Sequence, residues 1–403
     1  MLKFFKGRSI GYTLKHVTVS PLVLLVWLSI EITNLFRPVF IVRLSYKGRI
    51  TQYMVPMELH LRNANQLNRK YLMIFVMPAA TPNEAVRTVY RRYSIIVDSH
   101  FPNFIRRTFS ILSVLLKSRF TPALPNWQEL WQQKPATTLT DNELKFGEEL
   151  LKKLGIPKDA EYICLGLKES AYYASITLDR GYGQDLRHEA SDSKNLEIDR
   201  YLEVATQLAN LGIYVVRVGS VVNAPLPKQR HPKIIDYAST DRSELGDIVL
   251  GAACKFGLVA CCGFWIFLSF QNKPITFCDQ YEFGFKNDIL SLGAQTIFLI
   301  KLVRDKKNQN LVPFSKMARG GRNWASDDFL MRFGLEPVPN TPEEILNSAI
   351  EMNDWIDGRL KLSKYSEDLQ NRFYDSYPRE SRLEKNQFTK ISPSFLQKYQ
   401  DLL

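Results

Sequence analysis

Short, largely apolar runs alternate with amphipathic stretches in the first third of the chain. The run YLMIFVM (Tyr71–Met77) is fully apolar, as is typical of a strand buried on both faces of a parallel sheet. FIVRL (Phe40–Leu44) and SIIVDSH (Ser94–His100) are the other short strands that the sequence predicts. The stretches between them, MVPMELHLRNANQL and AVRTVYRRY, have helical character. This alternation predicts a doubly wound α/β unit.

The second of these helices carries a start signal. Thr81 is the expected N-cap, Pro82 follows it, and Glu84 completes a capping box. The sequence therefore predicts that this helix begins directly after Thr81.

A second α/β series begins at Glu161. The predicted strands are YICLGL, IYVVRVGS, KIIDYAS, FGLVACCG and ITFCDQ, and the predicted helices include NLEIDRYLEVATQLANLG and SELGDIVLGAACK. A capping box at Thr341 and Glu344 opens a further helix that runs to Trp355.

These patterns divide the chain into five segments. We expect a basic and apolar membrane-associating segment (1–38), a first Rossmann-like domain (39–120), a Pro-rich connector (121–160), a second Rossmann-like domain (161–355) and a helical tail (356–403).

The charge is distributed unevenly along the sequence. Lys and Arg number 53 against 41 acids, for a net charge of +12. Residues 1–120 hold 18 bases and four acids, which is +14, whereas the remaining 283 residues total −2. Such a basic region predicts an anionic partner, either lipid or nucleic acid. Because no nucleic-acid-binding module is recognisable, we favour an anionic membrane surface and expect no nucleic acid.

The uncharged stretch from Val17 to Ile30 allows three interpretations. It is about 21 Å long as a helix, short of the roughly 30 Å of a bilayer core. It can be a buried first helix, an element lying in the membrane interface, or a removed signal or true span. The first two remain open, and no small-residue cleavage site supports the third.

Cysteine and histidine spacing offers no metal chemistry. The five cysteines form no CxxC pair and mostly lie in apolar surroundings, so we expect reduced core residues. The five histidines are scattered. We therefore expect neither a bound metal nor an organic cofactor.

Polar residues follow several predicted strands of the second domain, where open parallel sheets bind ligands. Arg217 with Gly219 can contact a phosphate, and Gly263 precedes a helix whose amides can face an anion. Asp236 or Glu344 can hold a ribose hydroxyl. Neither GxGxxG nor GxxxxGK[ST] occurs. Each signal also has an ordinary structural explanation, such as a surface ion pair or a turn.

The segments YICLGLKESAYY, YLEVATQLANLGIYVVRVGS, IIDYAS and NTPEEI resemble a family of bacterial glycosyltransferases. The resemblance covers residues 160–355, and more loosely 40–100. It implies a GT-B-like fold, two Rossmann-like domains facing across a cleft. The second domain would hold a nucleotide-sugar donor, and the first would bind the acceptor.

The resemblance also implies site residues and a mechanism that needs no metal. The donor-binding set it implies is Lys168, Arg217, Gly219, Asp236, Tyr237, Cys262 and Gly263. Lys47, Gly48 and Arg49 would border the cleft near the acceptor. The acceptor hydroxyl needs a general base, for which Glu58, Asp98 and His100 are the candidates.

Two positions depart from the family pattern. Lys168 stands where the family has Arg, and Cys262 where it has Ser or Thr. The expected function is glycosyl transfer to a glycan or lipid-linked acceptor, in cell-surface polysaccharide synthesis, at the inner face of the cytoplasmic membrane. The alternative is a catalytically inert, glycosyltransferase-like binding subunit.

Overall fold

A computed structural model describes residues 20–44, 49–67, 70–77, 82–98, 101–115, 127–172, 196–280, 294–320, 324, 326–376 and 388–403. The chain divides into two compact units, Met1–Pro125 and Asn126–Leu403. The division falls inside the segment predicted as a connector.

The first unit is built on a parallel sheet of three strands in the order β1-β2-β3. Its strands are β1 (Val39–Arg43), β2 (Leu72–Val76) and β3 (Ile95–Val97), and its helices are α1 (Ser20–Phe36), α2 (Ile50–Asn65), α3 (Glu84–Arg91) and α4 (Asn103–Leu115). All three predicted strands are confirmed. Most of their apolar side chains are buried, as expected for strands of a parallel sheet.

The start of α3 differs from the prediction. Asn83 is the N-cap, and its Oδ1 accepts a hydrogen bond from the Val86 amide at 2.9 Å. Glu84 is therefore the first helical residue rather than part of a capping box. Asn caps helices as well as Thr does. Thr81 lies outside the described residues.

The second unit contains a seven-stranded sheet in the order β12-β9-β8-β7-β4-β5-β6, with all neighbours parallel. The strands are β4 (Tyr162–Leu167), β5 (Tyr214–Val218), β6 (Ile234–Ile235), β7 (Gly257–Ala260), β8 (Ile275–Gln280), β9 (Thr296–Ile300) and β12 (Thr389–Ile391). A separate antiparallel pair joins β10 (Leu302–Asp305) and β11 (Leu335–Val338).

The helices of this unit include the three that the sequence analysis predicts. They are α5 (Trp127–Trp131), α6 (Asp141–Lys153), α7 (Ile198–Asn210), α8 (Tyr237–Thr240), α9 (Glu244–Ala253), α10 (Trp265–Ser269), α11 (Phe314–Gly320), α12 (Asp327–Arg332), α13 (Pro342–Ile356), α14 (Lys364–Asp375) and α15 (Pro393–Lys398). The capping box of Thr341 and Glu344 at α13 is confirmed.

Two segments differ from their predicted structure. KIIDYAS is a two-residue strand followed directly by α8, not one strand. The segment 356–403 is not purely helical, because β12 pairs with β9 and extends the sheet. No helix within the described ranges is long and apolar enough to cross a membrane.

Candidate functional site

The strand order of the large sheet reverses between β4 and β7. The chain proceeds from β4 through β5 to β6 on one side, and from β7 through β8 to β9 on the other. Parallel sheets bind ligands outside the carboxyl ends of the strands at such a reversal. We define the residues that follow these strand ends as the carboxyl edge.

Lys168 and Cys262 flank this reversal. Lys168 directly follows β4, and its amide donates to the Ala260 carbonyl at the end of β7 (3.1 Å). The Lys168 side chain is only 5% exposed. It is therefore not the solvated surface charge that a strand-end lysine often is. A buried ammonium stands at the point of the sheet where a ligand is expected.

Cys262 points into the sheet. A Cβ added at Gly166 of β4 would lie 2.9 Å from the Cys262 Sγ, so the thiol occupies space that Gly166 leaves open. Burial raises the pKa of the Cys262 thiol to about 12. The thiol is thus protonated at neutral pH and packs against the strand instead of offering a charged group.

Gly263 precedes only a short helix. α10 has five residues, and Phe264, its N-cap, makes no capping contact. A helix this short adds little dipole at its N-terminus. We therefore leave the Gly263 amide out of the candidate site.

Arg217 is buried in an ionic network. Its Nη2 donates to Glu169 Oε1 (2.5 Å), and its Nη1 donates to Asp236 Oδ1 (3.3 Å) and to the Ala224 carbonyl (2.9 Å). All three ionic groups are 2% exposed. The guanidinium is thus used inside the protein, where it joins the ends of β4, β5 and β6.

Asp236 is equally occupied. Its Oδ2 accepts from the Leu226 amide and from the Ser239 hydroxyl, both at 2.7 Å. Together with the Arg217 contact, these bonds engage both oxygens of the carboxylate. Asp236 therefore holds the turn after β5 and is not open to a ribose. Glu344 is likewise held, by the Thr341 amide, Lys398 and Tyr399.

Tyr237 is fully buried behind this network. Its hydroxyl donates to the Ser243 carbonyl (2.8 Å), accepts from the Ser243 amide (2.9 Å), and lies 3.2 Å from Asp247 Oδ1. Burial raises the pKa of Asp247 to about 6, although the nearby Arg242 opposes the shift. Tyr237 therefore anchors α9. Gly219 directly follows β5 and belongs to no contact of this network that the structure describes.

A second charged cluster lies at the ends of β8 and β9 and was not anticipated from the sequence. Asp279 is fully buried and accepts from the Tyr201 hydroxyl (2.7 Å) and the Asn340 amide (3.0 Å). Arg200 Nη2 and Lys301 Nζ lie 3.6 and 3.9 Å from its carboxylate oxygens. Burial lowers the pKa of Lys301, and Asp279 opposes this shift.

The backbone is strained at this cluster. Cys261 and Asp279 have φ angles of 51° and 53°, and the Cys261 thiol donates to the Asp279 carbonyl at 3.3 Å. Left-handed residues other than glycine cost energy and cluster at functional sites. The sequence signals for this cluster are a charged residue near the end of one apolar run, Asp279 in β8, and one directly after another, Lys301 after β9.

The two candidate bases of the first unit that the structure describes are both buried. Glu58 is fully buried and accepts from Arg62 Nε (2.7 Å) and the Tyr90 hydroxyl (2.9 Å). Asp98 follows β3 and is 1% exposed, with Arg87 Nη1 at 3.2 Å. Both carboxylates are structural partners of arginines. His100, Lys47 and Gly48 lie outside the described residues, and Arg49 is the N-cap of α2.

No protein-family model matches the sequence, and comparison with curated protein sequences finds no relative. Several solved structures show a partial likeness of fold. The glycosyl transferase family 9 protein from Veillonella parvula has 9% identity over 65% of this chain and 86% of its own, with a TM-score of 0.38. The ADP-heptose LPS heptosyltransferase II of E. coli has 11% identity over 60% and 84%, with a TM-score of 0.38.

A third neighbour is the iron-containing dodecameric glycosyltransferase TibC from enterotoxigenic E. coli. It has 12% identity over 63% of this chain and 60% of its own, with a TM-score of 0.32. TibC is also known in complex with ADP-D-beta-D-heptose. At these identities and TM-scores, the likeness assigns no substrate or residue to the present chain.

Proposed function

We propose that the protein transfers a sugar from a nucleotide-sugar donor to a glycan or lipid-linked acceptor at a membrane surface, in cell-surface polysaccharide synthesis and without a bound metal. The observation that carries the proposal is the buried Lys168 ammonium at the strand-order reversal of a parallel sheet. A leaving nucleoside diphosphate needs such a cation, because negative charge develops on it as the glycosidic bond breaks.

The neighbouring ionic groups act mainly by positioning. Glu169, Arg217 and Asp236 fix the ends of β4, β5 and β6, and thereby the backbone around Lys168. A buried cation is most effective when its surroundings cannot reorganise around the developing charge. We therefore assign Arg217 to the support of the donor site rather than to direct phosphate contact.

The general base is proposed to lie in the first unit. Glu58 and Asp98 are buried and paired with arginines, so both carboxylates are already engaged within the first unit. Of the three candidates from the sequence, His100 is the one we retain.

Calorimetric titration with nucleoside diphosphates tests the donor site. Lys168→Met keeps most of the length of the side chain and removes the charge, so affinity should fall about 10- to 150-fold, equivalent to roughly 1.5–3 kcal/mol. Lys168→Arg should retain much of the binding, because the charge is preserved. Lys158→Met is the matched control, since Lys158 is exposed and precedes the amino end of the same strand.

Wild-type affinity in Lys168→Met, with unchanged thermal unfolding, would remove Lys168 from the donor site. A separate measurement of nucleotide-sugar hydrolysis or transfer distinguishes an enzyme from an inert subunit. Tight donor binding without any turnover across acceptor classes would favour the binding subunit.

A further inference from the structure

Helix α1 is apolar on two opposite faces. Its inner face consists of Val23, Val26, Trp27 and Ile30, at the i, i+3, i+4, i+7 spacing of one helical stripe. These residues pack against a core cluster of the first unit that includes Val39, Ile74 and Leu112. The inner face accounts for the docking of α1 onto its own unit, but not for the apolar residues on the opposite face.

The opposite face of α1 is a second apolar stripe, which we call the outer stripe. Its side chains are 43–85% exposed and comprise Leu24, Leu25, Leu28, Ile32, Leu35 and Phe36. A helix that is hydrophobic on all sides normally has a partner on all sides. Large contiguous apolar patches on a protein surface mark sites of protein or membrane contact.

The polar groups beside the outer stripe are already satisfied within the helix. The Ser29 hydroxyl donates to the Leu25 carbonyl (2.9 Å), and the Thr33 hydroxyl donates to the Ser29 carbonyl (2.7 Å). Glu31 accepts from the Trp27 indole at 3.0 Å. Little hydrogen-bonding capacity would therefore be lost if this face entered an apolar medium.

The charge of the first unit indicates which apolar medium would cover the outer stripe. The unit has 18 cations and four carboxylates. Three of these carboxylates have arginine partners, in the pairs Glu58–Arg62, Glu84–Arg87 and Asp98–Arg87, and the fourth, Glu31, accepts from Trp27. Four carboxylates cannot neutralise eighteen cations, so the unit is strongly attracted to anionic surfaces.

We propose that the outer stripe lies in the interface of an anionic lipid bilayer, and that it is the element by which the first unit binds the membrane. From Leu24 to Phe36 the stripe is about 18 Å long, which is too short to cross the roughly 30 Å hydrocarbon core. It matches a helix that lies in the plane of the interface. A second copy of the chain is a poor occupant, because two units of +14 would repel each other.

Vesicle binding by the full chain tests this proposal. The wild type should bind vesicles of phosphatidylcholine mixed with phosphatidylglycerol more tightly than vesicles of phosphatidylcholine alone, and added salt should reduce the difference. Leu25→Glu should lower the partition coefficient at least about tenfold, because one large apolar contact is lost. Leu25→Gln should weaken partition without adding a charge.

Leu211→Glu is the matched control. Leu211 is 64% exposed against 62% for Leu25, but it lies in the second unit, so its replacement should leave vesicle binding unchanged. Thermal unfolding of each variant reports whether the fold is intact. Absence of wild-type binding to anionic vesicles, or equal binding by Leu25→Glu, would overturn the proposal.

Sedimentation velocity in the absence of lipid tests the other possible partner of the outer stripe, a second copy of the chain. A wild-type dimer that Leu25→Glu converts to a monomer would show that the outer stripe binds a second copy, and would equally overturn the proposal. The outer stripe would be the membrane contact of the proposed function, but its binding to lipid does not depend on the chemistry of sugar transfer. Loss of nucleotide binding in Lys168→Met and loss of lipid binding in Leu25→Glu are separate measurements.

Discussion

Arg217 and Arg359 each lie between two carboxylates, yet their surroundings differ completely. Arg217 is 2% exposed beside Glu169 and Asp236, whereas Arg359 is 57% exposed beside Asp354 and Asp357. Water and salt screen the second arrangement, so its contribution to stability is small. In the first arrangement, each charge depends on the others for its solvation.

Arg217→Met should therefore destabilise the protein strongly. It leaves two buried carboxylates without their cation, a loss of about 3–5 kcal/mol in the free energy of unfolding. Urea denaturation measures this loss, and Arg359→Met should leave the midpoint nearly unchanged. If Arg217→Met kept wild-type stability and lost only nucleotide affinity, the guanidinium would be a ligand contact and not a structural one.

The position of the site residues was predictable from the sequence, but the direction of their side chains was not. Apolar runs place Lys168, Arg217 and Asp236 at strand ends, because hydrophobic patterning fixes where a strand stops. The partner that turns Arg217 inward is Glu169, 48 residues away in sequence. A local pattern carries no information on such a long-range pairing.

At the scale of elements, α9 packs against Tyr237 through a glycine. A Cβ added at Gly246 would lie 2.3 Å from the Tyr237 hydroxyl and 2.8 Å from the Ser243 hydroxyl. The same tyrosine hydroxyl contacts Ser243, which caps α9, and Asp247 of its first turn. Gly246 thus permits the close approach that holds α9 beside the turn after β6.

Gly246→Ala should destabilise the protein by about 1–3 kcal/mol, as overpacking does. In an open helix the same change would stabilise by up to about 1 kcal/mol, because alanine is the better helix former. In a Tyr237→Phe background, which removes the obstructing hydroxyl, the cost should fall by about 1 kcal/mol or more. Chemical denaturation of the four proteins in this cycle gives the coupling. Stabilisation by Gly246→Ala alone would show that the contact does not exist.

Elements with strong local signals were predicted well. The strands from β1 to β8 follow from apolar runs, and α13 follows from its capping box. The three-residue strand β12 was missed because its strand character comes from pairing with β9, across about 90 residues, and not from its own sequence. At α3, Thr81 and Asn83 are both good caps, so composition alone could not choose between them.

At the scale of the whole molecule, charge and candidate chemistry are divided between the two units. The first unit holds the excess of +14 and the outer stripe, and the second is close to neutral. The candidate donor-site residues Lys168, Arg217 and Asp236 all lie in the second unit. The proposed membrane contact and the proposed nucleotide site therefore belong to different parts of the chain.

A fragment spanning residues 126–403 tests this division. It contains the complete seven-stranded sheet and its own buried core, so it should fold and unfold cooperatively. Its affinity for nucleoside diphosphates should stay within about threefold of that of the full chain, less than 1 kcal/mol. Its binding to anionic vesicles should be lost, because both the outer stripe and the excess cations are absent. Calorimetry and vesicle sedimentation on one preparation measure both properties.

A folded fragment that still binds anionic vesicles as the full chain does would place the membrane contact in the second unit. One that is folded but does not bind nucleotide would show that the donor site needs residues of the first unit as well.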